Sequence, residues 1–228
     1  MLIQLILVFV YCSDFSGLLS YILEIRELPE DFHLKIGIES GGGSLKVCLN
    51  VLPENDPEYV KKYKSAGINK LFIIGLGPKL SESYANIKSL FEALDLQSIC
   101  GICSYTFAAD FKLIMILLGL QSNSSTHTCP WCDVNVKEME IKGSFRTIKS
   151  ITENTNLWQQ SGGNITKAKD FKNCINIPLI IGDVETPVLR YIPPPELHLL
   201  LGVVQKLFDC LELENINVAT EWIKKKRD

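Results

Sequence analysis

The sequence predicts an α/β fold in which helices flank a mixed β-sheet. Two segments, HLKIGIES and SLKVCLNV, alternate apolar and polar residues on either side of a glycine turn, as the strands of a hairpin do. Two further apolar runs, KLFIIGLG and ICGICSYTF, are separated by SESYANIKSLFEALDL, whose apolar residues recur at helical spacing. Antiparallel strands followed by a helical crossover to another strand favour a mixed sheet.

Composition sets the limits of this prediction. The chain has 228 residues, of which 46% are hydrophobic and 21% are charged, so it can bury one large or two small cores. Its net charge of −3 excludes an overall basic field, and any contact with nucleic acid has to be local.

The cysteines are read as reduced thiols. Several lie inside apolar, strand-like runs, and four form pairs with CxxC spacing, which favours an intracellular chain over one with four disulfides. The eight are Cys12, Cys48, Cys100, Cys103, Cys129, Cys132, Cys174 and Cys210.

The amino-terminal segment, residues 1–30, combines an apolar stretch with a helix. Residues 2–12 are apolar without a period, and they carry no Lys or Arg before them and are too short to span a bilayer. We interpret them as a buried strand or helix, with a secretory signal as the alternative; a chain that begins partway into a larger protein would look the same. The leucines and isoleucines of residues 13–27 predict an amphipathic helix that ends at Pro29.

The first predicted strand ends at Glu39 and leads through Gly41–Gly43 into the second. The glycines do not form a nucleotide-binding loop, because no GK[ST] sequence follows them. Next comes a polar stretch, residues 53–70, whose Lys61, Lys62 and Lys64 form a basic patch that either meets phosphates or is simply a solvated helix face.

The next elements are a buried strand, a helix and another strand. Ser81 is the predicted helix cap. If ICGICSYTF is extended throughout, Cys100 and Cys103 point to opposite faces, so we expect core thiols there rather than a metal site.

Asp110 opens the apolar run FKLIMILLGL. An ionised carboxylate next to such a run is costly unless a cation or hydrogen-bond donors meet it. Two partners satisfy this need: a bound metal ion, or the free amides at the start of a helix that Asp110 caps.

A polar turn then leads to the sequence HTCPWC. Cys129 and Cys132 have the spacing at which two thiols share a tetrahedral zinc ion or close a small redox disulfide. His127 is a candidate third zinc ligand, the alternative being a surface histidine. Downstream, VNVKEMEI is a candidate return strand, Arg146 belongs to a second basic patch, NCINIPLIIG is a candidate strand, and His198 lies early on a helix after Pro193–Pro195.

These motifs resemble, in their order and spacing, the catalytic core of Transib-type DDE transposases and the related catalytic subunit of the V(D)J recombinase. The resemblance covers about residues 34–215: IESGGGSLKVCLNV, then an Asp at the start of an apolar helix, then CxxCD 19 residues later, then PPPELHLLLGVVQKLFDCL. It implies an RNase H-like fold for residues 31–125, a zinc-type insertion at 126–175 and a truncated carboxyl-terminal part at 176–228.

The resemblance also assigns roles to residues. Asp110 corresponds to the second catalytic carboxylate, and Glu39 stands where the family has its first catalytic Asp. Cys129 and Cys132 correspond to half of a structural zinc site, and His198 lies near the DNA-facing site. The family's third catalytic Glu and two zinc-binding His come after the end of this sequence. An intact relative uses two Mg²⁺ or Mn²⁺ ions together with Zn²⁺, acts on DNA and works in the nucleus.

The sequence therefore predicts a fragment, or a decayed or domesticated copy, of a DDE transposase that lacks activity. Glu39 is one methylene longer than Asp, which moves a metal-bound oxygen by about an ångström where geometry decides the rate. Two other classes stay open: a noncatalytic zinc-stabilised module that binds nucleic acid or protein, and a thiol-disulfide protein. DNA is the expected partner, no membrane contact is expected, and a homodimer is left open.

Overall fold

A five-stranded mixed sheet forms the centre of the structure, a computed structural model that describes residues 9–28, 31–53, 71–101, 103–121, 126–138, 143–195 and 200–209. The strand order is β1-β4-β3-β2-β5, and each neighbouring pair is antiparallel except β2 and β5, which are parallel. The strands are β1 (Val10–Tyr11), β2 (Phe32–Gly41), β3 (Ser44–Pro53), β4 (Phe72–Pro78) and β5 (Ser104–Ala108). The predicted α/β class with a mixed sheet is confirmed, and this architecture is compatible with an RNase H-like fold.

The hairpin of β2 and β3 forms where the sequence predicts it. Gly41 pairs with Ser44, and the two residues between them, Gly42 and Gly43, have φ angles of +61° and +74°. A two-residue turn with positive φ at both positions matches the twist of the strands and is favourable for glycine. The alternation seen in the sequence puts Leu34, Ile36 and Ile38 in the core, each exposed by 2% or less.

Helices flank this sheet. They are α1 (Phe15–Ile25), α2 (Tyr84–Ala93), α3 (Leu96–Cys100), α4 (Phe111–Leu117) and α5 (Ile148–Gln160), with 3-10 helices at Ile165–Phe171 and Val188–Arg190. Helix α4 is apolar on nearly all sides, and Leu113, Ile114, Met115 and Leu117 are all buried. A helix that is apolar all round belongs inside a core.

The cap of α2 differs from the prediction. Ser83, not Ser81, is the N-cap residue, and its hydroxyl oxygen accepts a hydrogen bond from the amide of Asn86 at 3.3 Å. The Ser81 carbonyl instead accepts from the side chain of Asn86 at 2.9 Å. The sequence SES offers two equivalent caps, and the core contacts of Ile87 and Leu90 select the helix phase.

The strand predicted over ICGICSYTF begins later than expected. Asp95 adopts a positive φ of 48°, which ends one helix, and Leu96–Cys100 then forms another short helix before β5 starts at Ser104. The argument that alternation separates Cys100 from Cys103 was therefore wrong, because Cys100 is helical. Both thiols still pack against the core, as expected.

The carboxyl-terminal half has less regular structure than predicted. NCINIPLIIG forms no strand; its backbone instead bonds to the end of α4, with Leu179 N–H donating to Leu117 O at 2.7 Å. VNVKEMEI is not a strand over its described part, residues 134–138. The helix α5 extends through ENTNLWQQ, within residues 153–173, for which the sequence predicts a loop and a helix.

The chain divides into two compact units, Met1–Pro193 and Pro194–Asp228. In the second unit, residues 200–209 are helical, and Leu200, Leu201, Val203 and Leu207 are more than half exposed. Among the described helices, none combines the length and the hydropathy that a bilayer-spanning segment requires.

Candidate functional site

Glu39, near the end of β2, and Asp110, just after β5, lie at the same end of the sheet. The last parallel pair between β2 and β5 joins Gly37 to Ala108, and Glu39 and Asp110 each lie two residues beyond it. Neighbouring parallel strands run in one direction, so their carboxyl ends share one edge of the sheet. The backbone therefore places both residues at that edge.

The Glu39 side chain is already engaged. Its Oε1 accepts from Lys46 Nζ at 3.1 Å, and the two residues are directly opposed on β2 and β3. The Glu39 side chain is 67% exposed, so this is a surface ion pair of small energetic weight. A divalent cation at Glu39 has to compete with the Lys46 ammonium.

Asp110 caps a helix, the second of the two explanations left open by the sequence. It is the N-cap residue of α4, and its Oδ1 accepts from the amide of Leu113 at 2.8 Å. The carboxylate therefore meets free amides and the positive end of the helix dipole. This contact accounts for a carboxylate at the start of an apolar helix without a metal ion.

Sequence reasoning missed a third carboxylate near this edge. Glu82, two residues before α2, forms a salt bridge with Lys112 in the first turn of α4 and a side-chain hydrogen bond with Ser40 at the end of β2. The hydrogen bond from Lys112 lowers the pKa of Glu82 below its ordinary value. No sequence pattern marks this residue, because its two partners lie far from it along the chain.

These carboxylates do not make a two-metal site. In the described part of the chain, no three His, Cys, Asp or Glu side chains converge as a metal-binding group. Two divalent ions need several shared oxygen ligands to hold an attacking and a leaving oxygen in line. Glu39 and Asp110 do not fit that requirement by themselves.

Two substitutions of Asp110 separate its capping role from a metal-binding role. Asp110→Ala is expected to lower the free energy of unfolding by about 1 kcal/mol, because the Leu113 amide loses its acceptor. Asp110→Asn keeps a capping oxygen and is expected to leave stability within about 0.5 kcal/mol of the wild type. Urea denaturation measures both values; equal losses in the two variants would show that the charge, and not the cap, stabilises the helix.

The CPWC loop lies next to the start of α4. The indole of Trp131 contacts the ring of Phe111, the residue after Asp110, edge to face at 6.1 Å, and its Nε1 donates to Ile192 O at 2.7 Å. The loop is therefore fixed to the segment that follows the sheet edge.

Cys129 and Cys132 face each other across this loop. Their thiols interact directly, and burial raises the pKa of Cys132, while a hydrogen bond from the Val134 amide and the charge of Arg146 act in the opposite direction. A backbone amide directed at a cysteine sulfur stabilises a thiolate. Two facing thiols are half of the ligand set that a tetrahedral zinc ion requires.

His127 does not join this pair in the described structure. It is 6% exposed, its Nδ1 donates to Asp133 O at 2.8 Å, and its backbone amide donates to the side chain of Asn173. With no three-ligand group among the described residues, the structure brings the two thiols together without a third partner. His127 instead lines a polar cavity of about 350 Å³ with Asp133, Glu138 and Lys172.

Arg146 corrects a sequence expectation. It was assigned to a basic surface patch, but its side chain is 2% exposed and its guanidinium donates to backbone carbonyls inside the chain. A buried guanidinium in this position cannot reach a phosphate. The other predicted DNA contacts, Lys61, Lys62, Lys64 and His198, lie outside the described residues.

Two lysines that were not singled out from the sequence are exposed on a 3-10 helix. Lys167 and Lys169 lie on the 3-10 helix Ile165–Phe171, and both side chains face solvent. They follow Gly162 and Gly163, whose positive φ angles turn the chain after α5. Exposed lysines of this kind attract phosphates without reading a sequence.

The geometry argues against a thiol-disulfide role. In redox CxxC proteins the pair opens a helix, whose amides lower a cysteine pKa, but residues 129–132 are not helical and the pKa of Cys132 is raised. The other CxxC pair is less reactive still, because burial raises the pKa of Cys100 to about 12.

Comparison of the chain with protein-family models and with curated proteins found no match. Its function is therefore inferred from its own residues and their arrangement.

Proposed function

We propose that this chain is a fragment, or a decayed and domesticated copy, of a Transib-type DDE transposase core with an RNase H-like fold, and that it does not cleave DNA. The observation that carries the proposal is the parallel pairing of β2 with β5, since it gives Glu39 and Asp110 one shared sheet edge. In such transposases the first two catalytic carboxylates occupy these two strand ends.

The strand order supports the RNase H-like part of the proposal. Three consecutive antiparallel strands, β2 to β4, are followed by helices and then by β5, which returns to pair in parallel with β2. This is the arrangement expected of an RNase H-like core. The short strand β1 pairs with β4 and is the outermost strand on the side of the sheet away from β5.

The state of the carboxylates supports loss of activity. Glu39 is longer than the Asp it replaces and is paired with Lys46, and Asp110 caps α4. Without a complete carboxylate set, neither metal ion is held in the position that in-line phosphoryl transfer requires.

We further propose that Cys129 and Cys132 bind Zn²⁺ as part of a structural site. The two thiols face each other, and the Val134 amide is directed at Cys132, as expected of two sulfur ligands to one metal ion. Two more ligands must come from beyond the described residues, and in the resembling family these are two downstream histidines. Bound zinc would fix the insertion, residues 126–175, on the core.

The contribution that remains for such a chain is noncatalytic binding, with DNA as the partner and the nucleus as its location. The net charge of the chain gives no general attraction for DNA, so DNA binding needs local cations. Lys167 and Lys169 are exposed and can supply them. A homodimer is left open.

Incubation of the purified chain with Mn²⁺ and a radiolabelled hairpin or nicked duplex tests the loss of activity. We expect no cleavage or strand transfer above that of the Asp110→Asn variant. Cleavage by the wild type that disappears in Asp110→Asn would contradict the proposal.

A gel shift over a range of salt concentrations tests DNA binding separately. DNA binding should weaken as the salt concentration rises, and it should be weaker still in the Lys167→Ala/Lys169→Ala variant.

A further inference from the structure

Arg146 is a buried cation, and its side chain contacts the CPWC loop and the residues around it. Its Nε donates to Cys129 O at 3.1 Å and to Cys132 O at 3.0 Å. Its Nη2 donates to Lys172 O at 2.9 Å, and its Nη1 lies 3.5 Å from the sulfur of Cys174. One guanidinium thus holds the backbone at both cysteines of the CPWC sequence.

The backbone of Arg146 fixes the same loop. Its amide donates to Trp131 O at 2.9 Å, and its carbonyl accepts from the amide of Val188 at 2.9 Å. The main chain of Arg146 therefore joins the loop to the 3-10 helix Val188–Arg190, and its side chain bonds to the carbonyls of the two cysteines.

The charge of Arg146 has no carboxylate partner among the residues that the structure describes. An arginine stays protonated in proteins, and a buried charge is costly unless an opposite charge or a full set of hydrogen bonds meets it. Here the partners are neutral carbonyls and a thiol. An anion next to the guanidinium would complete its environment.

The Cys174 thiol, 3.5 Å from Nη1, does not supply that charge, because burial raises its pKa to about 11. The other groups that can become anionic are the thiols of the two cysteines whose carbonyls Arg146 already holds. Cys132 lies within electrostatic reach of the guanidinium. When Zn²⁺ or Co²⁺ binds, both cysteines lose their protons and coordinate as thiolates, whose sulfurs keep part of their negative charge. A cation beneath the loop stabilises that state, and polar groups behind metal ligands orient them.

We infer that Arg146 is the positioning residue of a thiolate metal site at Cys129 and Cys132, holding the two cysteines in a metal-binding geometry and balancing their charge. This inference rests on the proposed zinc site. It assigns Arg146 a role distinct from the DNA contact expected from the sequence.

Cobalt titration tests the inference, because Co²⁺ bound by thiolates gives absorption bands that report the ligands and the affinity directly. Wild type, Arg146→Met, Arg146→Lys and the control Lys149→Met are compared. Lys149 is a neighbouring exposed cation paired with Glu185, so its loss removes the same charge without touching the loop.

We expect Arg146→Met to weaken Co²⁺ binding by about 10- to 100-fold. Arg146→Lys is expected to fall about tenfold, since one ammonium cannot bridge both carbonyls. Lys149→Met should bind as the wild type does.

A purely structural role of Arg146 would lower the thermal stability of the metal-free protein without changing the Co²⁺ affinity of the folded protein. Wild-type affinity in folded Arg146→Met would therefore overturn the inference. If Arg146→Met does not fold, Arg146→Lys decides, and unchanged affinity in that variant overturns it equally. Absence of Co²⁺ binding by the wild type would overturn the zinc site itself and the inference with it, whereas the transposase proposal has its own test in the cleavage assay.

Discussion

Replacing Cys129 and Cys132 together with serine is expected to abolish zinc binding. Serine cannot supply the thiolate that Zn²⁺ prefers, and these are the two candidate ligands that the described structure brings face to face. Elemental analysis of the purified protein measures zinc per chain. The double variant should contain none.

The second CxxC pair provides a matched control. Cys100 ends a short helix and packs with Cys103 against the core, so Cys100→Ser/Cys103→Ser should retain zinc. Zinc that persists in the Cys129/Cys132 double variant, or that disappears in the control, would show that the zinc ligands lie elsewhere in the chain.

Replacing Gly119 with alanine is expected to lower the free energy of unfolding by about 3 kcal/mol. Gly119 follows α4 with a φ of +69°, and a β-carbon there would collide with the Asn176 carbonyl. The cost combines the left-handed backbone, about 1–2 kcal/mol, with overpacking of about 1–3 kcal/mol. Urea denaturation measures the change.

Gly42→Ala is the control for Gly119→Ala. Gly42 has a similar φ of +61°, but a β-carbon there meets no atom within 4 Å. It should lose about 1 kcal/mol, the backbone contribution alone. Equal losses at the two positions would mean that the segment at Asn176 does not pack against the end of α4 as the structure has it.

The parts of the fold that sequence reasoning predicted correctly are those decided by local pattern. The β2–β3 hairpin follows from alternation around Gly42 and Gly43, whose positive φ angles the turn requires. Helix α2 follows from its helical periodicity, and strand β4 follows from its uninterrupted apolar run. The short helix Leu96–Cys100 was missed, because its last two residues begin the run ICGICSYTF, which also suits a strand.

The parts of the site that could not be predicted depend on contacts between distant residues. Arg146 reaches Cys132, Lys172 and Cys174, which lie 14, 26 and 28 positions away, so nothing next to it in the sequence signals its burial. Glu82 was missed for the same reason, since Ser40 and Lys112 meet it only in the folded chain. By contrast, the cap at Asp110 was one of two explanations available from the sequence, because capping involves the adjacent helix.

The parallel pairing of β2 with β5, on which the shared edge of Glu39 and Asp110 depends, is tested most directly by nuclear Overhauser effects in the isotopically labelled protein. The structure predicts contacts between backbone protons of Ile36 and Phe107 and of Gly37 and Ala108, in a parallel register. Contacts that pair β5 with another strand, or with β2 in the opposite direction, would place Glu39 and Asp110 apart and contradict the transposase-derived site.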